Sequence, residues 1–328
     1  MQRDGRTRRA KRARAAALLA AVVATLAAAC TTPSAPPDDG KPAGSSRSTP
    51  DSPSPRHHRS VLAVKIDNAR AARPHTGLDA ADIVYVEQVE GGLSRLMAVY
   101  ATRLPPAIGP VRSARESDLE LLRQFERPTL AFSGAQKKLL PLIDEAPLRP
   151  ETPGATDDAF YRGTDRPAPH NLYLRPDRLL PRPPGRHALT TGFRYGPAPA
   201  GGTETASRTV RFPAATFRFT WSEELRGYRV SMDGVPTVTT DAGPVAPPTV
   251  VVQYVKIQPS RFQDFLGNRT PYTQTVGSGR AEVLRDGRSY EAAWERPTAT
   301  DGTRFTTPEG LPMRFADGQV WVVLAAAP

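Results

Sequence analysis

Residues 81–101, ADIVYVEQVEGGLSRLMAVYA, contain two apolar runs separated by a glycine pair. The first run is rich in valine, isoleucine and tyrosine, which predicts a strand that ends in a Gly-Gly turn. The second run, RLMAVYA, predicts another strand directly after that turn. Upstream, VLAVKIDN at 61–68 predicts a buried strand that ends in an Asp-Asn turn. A β-sheet is therefore the expected frame of this part of the chain.

The segment VRSARESDLELLRQFERP at 111–128 predicts a helix among these strands. Ser113 and Glu116 have the spacing of a capping box, and Pro128 would end the helix. The apolar side chains follow at helical spacing, at Leu119, Leu122 and Phe125. Strands that alternate with helices predict a mixed α/β domain over residues 60–195.

The second half of the chain differs in texture. Residues 196–208, GPAPAGGTETASR, predict a connector, and residues 209–328 consist almost entirely of strand and turn signals. Asp286-Gly287 is a hairpin signal. The predicted fold class is α+β, with the N-terminal α/β domain followed by a smaller, mostly antiparallel β-rich domain.

The N-terminus predicts export. MQRDGRTRRAKRAR carries seven Arg/Lys and one Asp, a net charge of +6, and the next fifteen residues are uncharged and mostly apolar. A basic segment, a short apolar stretch and small residues describe a signal peptide, here residues 1–29. The stretch is shorter than the ~20 residues of a spanning helix, and Arg8-Arg9 leaves twin-arginine export open beside the general route.

Cys30 is the single cysteine of the chain and stands directly after three alanines. This position resembles the lipobox of bacterial lipoproteins, in which the cysteine is diacylated after cleavage. The alternative is a simple secretory signal with an incidental cysteine. Residues 30–59, with many prolines and serines, predict a disordered tether.

The charge of the chain is read differently once export is assumed. The whole sequence carries +11, so removal of the signal leaves about +5. Such a surface suits anionic lipid head groups or acidic wall polymers, and nucleic acid is not expected as a partner. We expect a protein anchored to the cell membrane on its extracytoplasmic face.

The ordered segments resemble the YerB-like family of bacterial lipoproteins, whose members have no established function. The resemblance covers essentially everything from residue 60 onward. The stretches that carry it are KIDNARAARPHTGLDAADIVYVEQVEGGLSRL at 65–96, GPVRSAR at 109–115, FYRGTDRPAPHNLY at 160–173, FTWSEELRGYRV at 219–230, VVVQYV at 250–255, VGSGRAEVLRDGRSYEAAW at 276–294 and DGQVWVVL at 317–324. It implies the two-domain organisation and a lipid anchor outside the cytoplasmic membrane, and it supplies no catalytic residues.

Two arginine-bearing loops are the candidate binding site. Guanidinium groups bind carboxylate or phosphate through paired hydrogen bonds. If the loops converge, they form a pocket for an anionic ligand. The alternative is structural: Arg112 clasps Glu90 and holds its turn against the sheet. The candidate residues are Arg112, Arg115, Arg162, Arg166, His170 and Asn171.

A catalytic alternative rests on Glu87 and Glu90, which flank the end of a predicted strand. Two carboxylates could act as acid and base on a glycan, with His170 as another base; the alternative is that these side chains are internally paired. No metal or cofactor motif occurs. Three hypotheses follow: binding of an anionic envelope component or partner protein without catalysis, a cell-wall glycan hydrolase, and a structural spacer of the envelope.

Overall fold

A computed structural model describes residues 60–263, 267 and 269–328. The predicted signal peptide, Cys30 and the tether at 30–59 lie outside the described residues, so those predictions are not tested by the structure. Two α-helices occur in the described part of the chain, α1 (Glu116–Leu122) and α2 (Leu140–Glu145).

Strands form most of the regular structure. In chain order they are β1 (Leu62–Ile66), β2 (Ile83–Gln88), β3 (Ser94–Tyr100), β4 (Thr129–Ala131), β5 (Arg149–Glu151), β6 (Phe160–Arg162), β7 (Leu172–Leu174), β8 (Arg194–Tyr195), β9 (Thr203–Glu204), β10 (Ser207–Phe212), β11 (Ala215–Ser222), β12 (Gly227–Met232), β13 (Val235–Pro236), β14 (Val238–Thr239), β15 (Gly243–Pro244), β16 (Thr249–Val255), β17 (Ile257–Gln263), β18 (Arg269–Thr273), β19 (Gly277–Arg285), β20 (Arg288–Arg296), β21 (Arg304–Thr306), β22 (Arg314–Phe315) and β23 (Val320–Ala326).

One large sheet contains strands from both halves of the chain. Its order is β21-β20-β19-β16-β23-β2-β3-β1-β4-β5, with β9 also paired to β20. The halves meet where β2 pairs in parallel with β23, with Ile83 opposite Val320 and Val86 opposite Val323. The predicted boundaries at residues 195 and 209 therefore lie between strands that share one sheet, and the division into domains stays a prediction.

Both faces of the large sheet are buried, which explains why its strands are almost continuously apolar. On one face, Val84, Val86 and Trp321 pack against the four-stranded sheet β10-β11-β12-β13. On the other face, Tyr85 and Val322 pack with helix α1, helix α2 and the aromatic side chains of later loops. The central strands are thus held between two layers and present no broad surface to solvent.

The predicted N-terminal mixed α/β domain is wrong. The structure is largely β, with 43% of the described residues in strands and 11% in helices. Helix α1 has seven residues because its helical pattern stops early: Phe125 packs in the core beyond the helix, and Arg127 adopts a left-handed backbone with φ of 44°. The predicted alternation of strands and helices is not observed. Strand β3 instead pairs in antiparallel orientation with both β1 and β2.

The predicted capping box also differs from the structure. Helix α1 begins at Glu116, so Arg115 rather than Ser113 precedes its first turn. The carboxylate of Asp118 accepts the Arg115 backbone N–H at 2.6 Å, which satisfies a donor that the helix leaves unpaired. Ser113 instead lies 3.3 Å from the Ser133 hydroxyl.

Candidate functional site

The GPVRSAR segment runs as an extended chain rather than as the start of a helix. The Arg112 N–H donates to the Lys65 carbonyl at 2.7 Å, and the Val111 N–H donates to the Leu172 carbonyl at 2.6 Å. The segment thus lies between the end of β1 and strand β7. Gly109 permits this close approach, because a Cβ there would lie 2.9 Å from the Leu172 oxygen and 2.7 Å from a ring carbon of Tyr173.

The second arginine-bearing loop connects β6 to β7 and is fixed from within. The Asn171 amide donates to the Gly163 carbonyl at 2.8 Å, and its oxygen accepts from Arg162 at 2.8 Å. Arg166 pairs with Asp165 at 2.7 Å. Because β7 follows His170 and Asn171 directly and bonds to the GPVRSAR segment, the two loops converge.

Asp67 is the point at which the two loops meet. Its carboxylate Oδ2 accepts Nδ1 of His170 at 2.8 Å and lies 3.4 Å from Nε of Arg112. Its Oδ1 accepts the Ala69 N–H at 3.1 Å. Its main-chain oxygen accepts Nε2 of His75 at 2.8 Å. The side chain of Asp67 is only 5% exposed, so its orientation is fixed on every side.

His75 supports Asp67 from the interior. It is fully buried, and burial lowers its pKa to about 4 although its hydrogen bond to Asp67 opposes the shift. The imidazole is therefore neutral and carries its proton on Nε2, the atom that faces the Asp67 carbonyl. His75 acts as a fixed brace rather than as a group that exchanges protons with solvent.

The outer ends of Arg112 and His170 are open. Their side chains are 27% and 21% exposed. The Nη atoms of Arg112 and Nε2 of His170 make no hydrogen bond to any residue that the structure describes, and neither side chain contributes to the buried unpaired atoms. The guanidinium of Arg112 and the imidazole of His170 both contact the Asp67 carboxylate. Each also has polar atoms that face solvent without a partner in the described chain.

A second ion pair lies beside this one and is closed. Arg115 binds Glu90 through two parallel hydrogen bonds of 2.7 Å, and Thr270 donates to the same carboxylate at 2.8 Å. Burial alone would raise the pKa of Glu90, but the hydrogen bonds and charge of Arg115 bring it below its ordinary value. The structural clasp on Glu90 is thus made by Arg115, not by Arg112.

Arg95 adds an uncompensated cation. Its Nη1 donates to the Ser113 carbonyl at 3.1 Å, and it forms no ion pair with a carboxylate of the described chain. Burial and then the charge of Arg115 lower its pKa to about 10, with Glu90 and Asp67 opposing the shift. A cation that is crowded in this way is stabilised by an added anion.

The charge around Asp67 is positive in sum. Three arginine side chains, those of Arg95, Arg112 and Arg115, interact with only two carboxylates, Asp67 and Glu90, an excess of one positive charge.

Glu87 does not reach this surface. It is 2% exposed and binds Lys65 at 2.7 Å, while Lys65 also binds Asp118 at 2.6 Å. Burial, together with the nearby charge of Asp118, raises the pKa of Glu87 to about 7, although Lys65 opposes the shift. With Glu87 buried and Glu90 clasped, the geometry does not favour the predicted pair of catalytic carboxylates, and that pair stays a prediction.

Part of this arrangement was predicted from the sequence. Arg112 and His170 were predicted to share a site, and both contact Asp67. Arg162 and Asn171 are bonded within their own loop, whereas Arg166 also donates to the Pro74 carbonyl at 3.2 Å. Asp67, Arg95 and the buried Lys65 were missed. The available signals were the Asp-Asn pair at the end of β1 and a lysine inside an otherwise apolar strand.

Comparison with known proteins places the chain in a family. Its residues 48–188 match the N-terminal domain, and residues 208–322 the C-terminal domain, of a protein family of unknown function (DUF3048). The chain belongs to the DUF3048 family. The "Putative lipoprotein YerB" of Bacillus subtilis (strain 168) is 25% identical over 288 residues, which cover 80% of each chain. The resemblance to YerB-like proteins is confirmed.

The fold is likewise shared with that DUF3048 relative. The crystal structure of YerB protein from Bacillus subtilis superposes with a TM-score of 0.66 at 22% identity, over 81% of this chain and 90% of the other. The family description names no activity, so the chemistry of the site must come from its residues. Within the described residues, no three His, Cys, Asp or Glu side chains are placed to hold a metal ion.

Proposed function

We propose that this DUF3048 protein is a membrane-tethered, extracytoplasmic lipoprotein that binds an anionic envelope component at Arg112 and its neighbours. The export signal and the lone Cys30 in a lipobox-like position support the anchor. The name of the Bacillus relative, "Putative lipoprotein YerB", agrees with it. No helix within residues 60–328, as far as they are described, has both the length and the apolar character to cross a bilayer.

The open guanidinium of Arg112 is the observation that carries the binding role. Beside it lies Arg95, which has no carboxylate partner in the described chain, so that three arginines share the carboxylates of Asp67 and Glu90. A phosphate or carboxylate would complete the hydrogen bonds of Arg112 and lower the mutual repulsion of the cations. A purely structural spacer would be expected to leave no such group unpaired.

Isothermal titration calorimetry of the full chain in detergent micelles tests this role, with inorganic phosphate as the probe at low ionic strength. Loss of one charge-assisted hydrogen-bonded pair costs about 1.5–3 kcal/mol, so Arg112→Ala should weaken binding about 10- to 100-fold. Arg112→Lys keeps the positive charge but lacks the paired N–H donors of guanidinium. Its affinity for phosphate should therefore lie between those of the wild type and Arg112→Ala.

Arg304→Ala is the matched control for lost charge. Arg304 is an exposed arginine on β21, at the far end of the large sheet, where it pairs with Glu295. We expect its affinity for phosphate to stay within about twofold of the wild type, because screening removes distant surface charge. Phosphate binding that is absent at millimolar concentration, or equally weakened by both alanine variants, would refute the proposed site.

The anchor has its own test. Cys30→Ala should abolish metabolic labelling with a radioactive fatty acid and move the protein out of the membrane fraction, because the acylated sulfur is gone. Unlabelled wild-type protein, or a variant that stays with the membrane as firmly as the wild type, would contradict lipid anchoring without bearing on the anion site.

A further inference from the structure

The two open groups at Asp67 have opposite hydrogen-bonding character. Asp67 accepts from Nδ1 of His170, so the imidazole carries its hydrogen on Nδ1. A neutral imidazole has one N–H and one lone pair, so Nε2 is then an acceptor. Arg112, on the same carboxylate oxygen, can only donate. A donor and an acceptor thus stand side by side at the candidate site.

Both groups contact one oxygen of Asp67. Nε of Arg112 lies 3.4 Å and Nδ1 of His170 lies 2.8 Å from this oxygen. The two nitrogens are therefore at most about 6 Å apart, and both side chains border one small region of the surface.

The tautomer of His170 is set by an immobile partner. Asp67 is held by the Ala69 N–H, by Nε2 of His75 and, through its own N–H, by the Pro110 carbonyl at 2.8 Å. An ionised carboxylate offers no hydrogen to the imidazole, so Nδ1 must donate. As long as the imidazole is neutral, Nε2 is therefore the acceptor.

Resting on the proposed function, we infer that the site selects anions that carry a hydroxyl next to the charged group, as in a polyol phosphate. Arg112 binds the anionic oxygens, and the hydroxyl donates to Nε2 of His170. A phosphate or carboxylate without a hydroxyl offers only acceptors and faces the lone pair of Nε2. The ligand class is the same whether the polyol phosphate is free, part of a wall polymer or a lipid head group.

Calorimetry with paired ligands tests the inference on the full chain in detergent micelles. At pH 8, where imidazole is ordinarily neutral, glycerol 3-phosphate is compared with propyl phosphate, which lacks the hydroxyls. We expect about tenfold tighter binding of glycerol 3-phosphate, the factor that one net hydrogen bond contributes. His170→Ala should remove this preference and bring the affinities for the two ligands within about threefold of each other.

Asp67→Asn provides a sharper variant. An asparagine amide can donate to Nδ1, which moves the imidazole hydrogen to Nε2 and turns the acceptor into a donor. The preference for glycerol 3-phosphate should then disappear or reverse. If this variant fails to fold, as shown by its thermal unfolding, the His170→Ala comparison decides alone.

A further pair of ligands identifies the source of the polyol phosphate. Dihexanoylphosphatidylglycerol and dihexanoylphosphatidylmethanol differ in the head-group hydroxyls and share the diester. Preference for the first of these two, beside the preference for glycerol 3-phosphate, identifies a lipid head group as a ligand; preference confined to glycerol 3-phosphate identifies a free or polymer-borne group.

Three results overturn the inference. Equal affinity of the wild type for glycerol 3-phosphate and propyl phosphate shows that His170 does not select, although the proposed anion site stands. A preference for glycerol 3-phosphate that survives in His170→Ala shows that a group other than His170 binds the hydroxyl. Failure of every phosphate to bind overturns the proposed function together with the inference.

Discussion

The buried triad of Lys65, Glu87 and Asp118 predicts a pH dependence of stability. One ammonium faces two carboxylates, all at most 2% exposed, so the fully ionised triad has an unbalanced negative charge in a dry interior. Burial first, and then Asp118, raise the pKa of Glu87 from 4.5 to about 7. The folded protein therefore retains a proton on Glu87 that the unfolded chain releases near pH 4.5.

The sign follows from this proton. Between pH 4.5 and 7 the folded state binds more protons than the unfolded state, so the free energy of unfolding falls as the pH rises through this window. The contribution of Glu87 is fully present below pH 4.5 and is lost above pH 7. At about 1.4 kcal/mol per pKa unit, the interval amounts to on the order of 3 kcal/mol.

Glu87→Gln removes the titration while keeping the size of the side chain. The amide cannot ionise, so the free energy of unfolding of the variant should match that of the wild type near pH 5. At pH 8 it should exceed the wild-type value by up to about 3 kcal/mol. Urea denaturation followed by tryptophan fluorescence at pH 5, 6, 7 and 8 measures how the stability of each protein changes with pH. Glu204→Gln is the control, because Glu204 is 90% exposed and its loss should not alter the slope.

Parallel pH profiles for the wild type and Glu87→Gln would refute this reasoning. They would mean that Glu87 is ionised throughout and that Lys65 balances both carboxylates. A wild-type protein that gains stability from pH 5 to 8, relative to Glu87→Gln, would reverse the sign and exclude the retained proton.

Three further experiments test individual contacts of the fold. Arg296→Met should lower the free energy of unfolding by about 3–5 kcal/mol, because the buried guanidinium donates to four carbonyls and a hydroxyl. The midpoint of thermal unfolding should fall by roughly 10 °C. A loss below about 1 kcal/mol would contradict this. An alanine double-mutant cycle on Arg115 and Glu90 should give a coupling energy of about 1–3 kcal/mol by urea denaturation, and additive effects would show that the clasp contributes nothing. Gly109→Ala places a Cβ against the Leu172 carbonyl and should both destabilise the protein and weaken phosphate binding in calorimetry, whereas unchanged binding would separate loop convergence from the site.

The local strand signals were read correctly from the sequence. LAVKI and IVYVEQ form β1 and β2, and Asp286-Gly287 connects β19 to β20 with both residues at positive φ. Apolar residues of β-branched type and a turn dipeptide act over a few positions, so their effect is visible in one short window.

The fold class was not predicted correctly from the sequence. The helical spacing after Arg115 led to a predicted α/β domain, yet α1 ends at Leu122. The observed fold instead depends on the pairing of β2 with β23 and on the sheet of β10 to β13, which covers one face of the large sheet. These contacts join residues more than two hundred positions apart in β2 and β23, and no local pattern encodes such a pairing.

The candidate site shows the same division. Residue type alone singled out Arg112 and His170, because guanidinium and imidazole are chemically distinctive in loops rich in glycine and proline. Asp67, which joins them, looked like an ordinary turn residue after a strand. Its role arises only when β1, the GPVRSAR segment and the loop before β7 come together.

The sequence by itself determined the export signal prediction, the strands, the turns and the chemical types available for a site. Each of these depends on neighbouring residues in the chain. Tertiary structure alone decided which charges are neutralised: Arg115 is clasped by Glu90 and Glu87 is buried on Lys65, while Arg112 and His170 share Asp67 and remain open. The physical reason is that the energy of a charge depends on distance and burial, and folding sets both across residues remote in sequence.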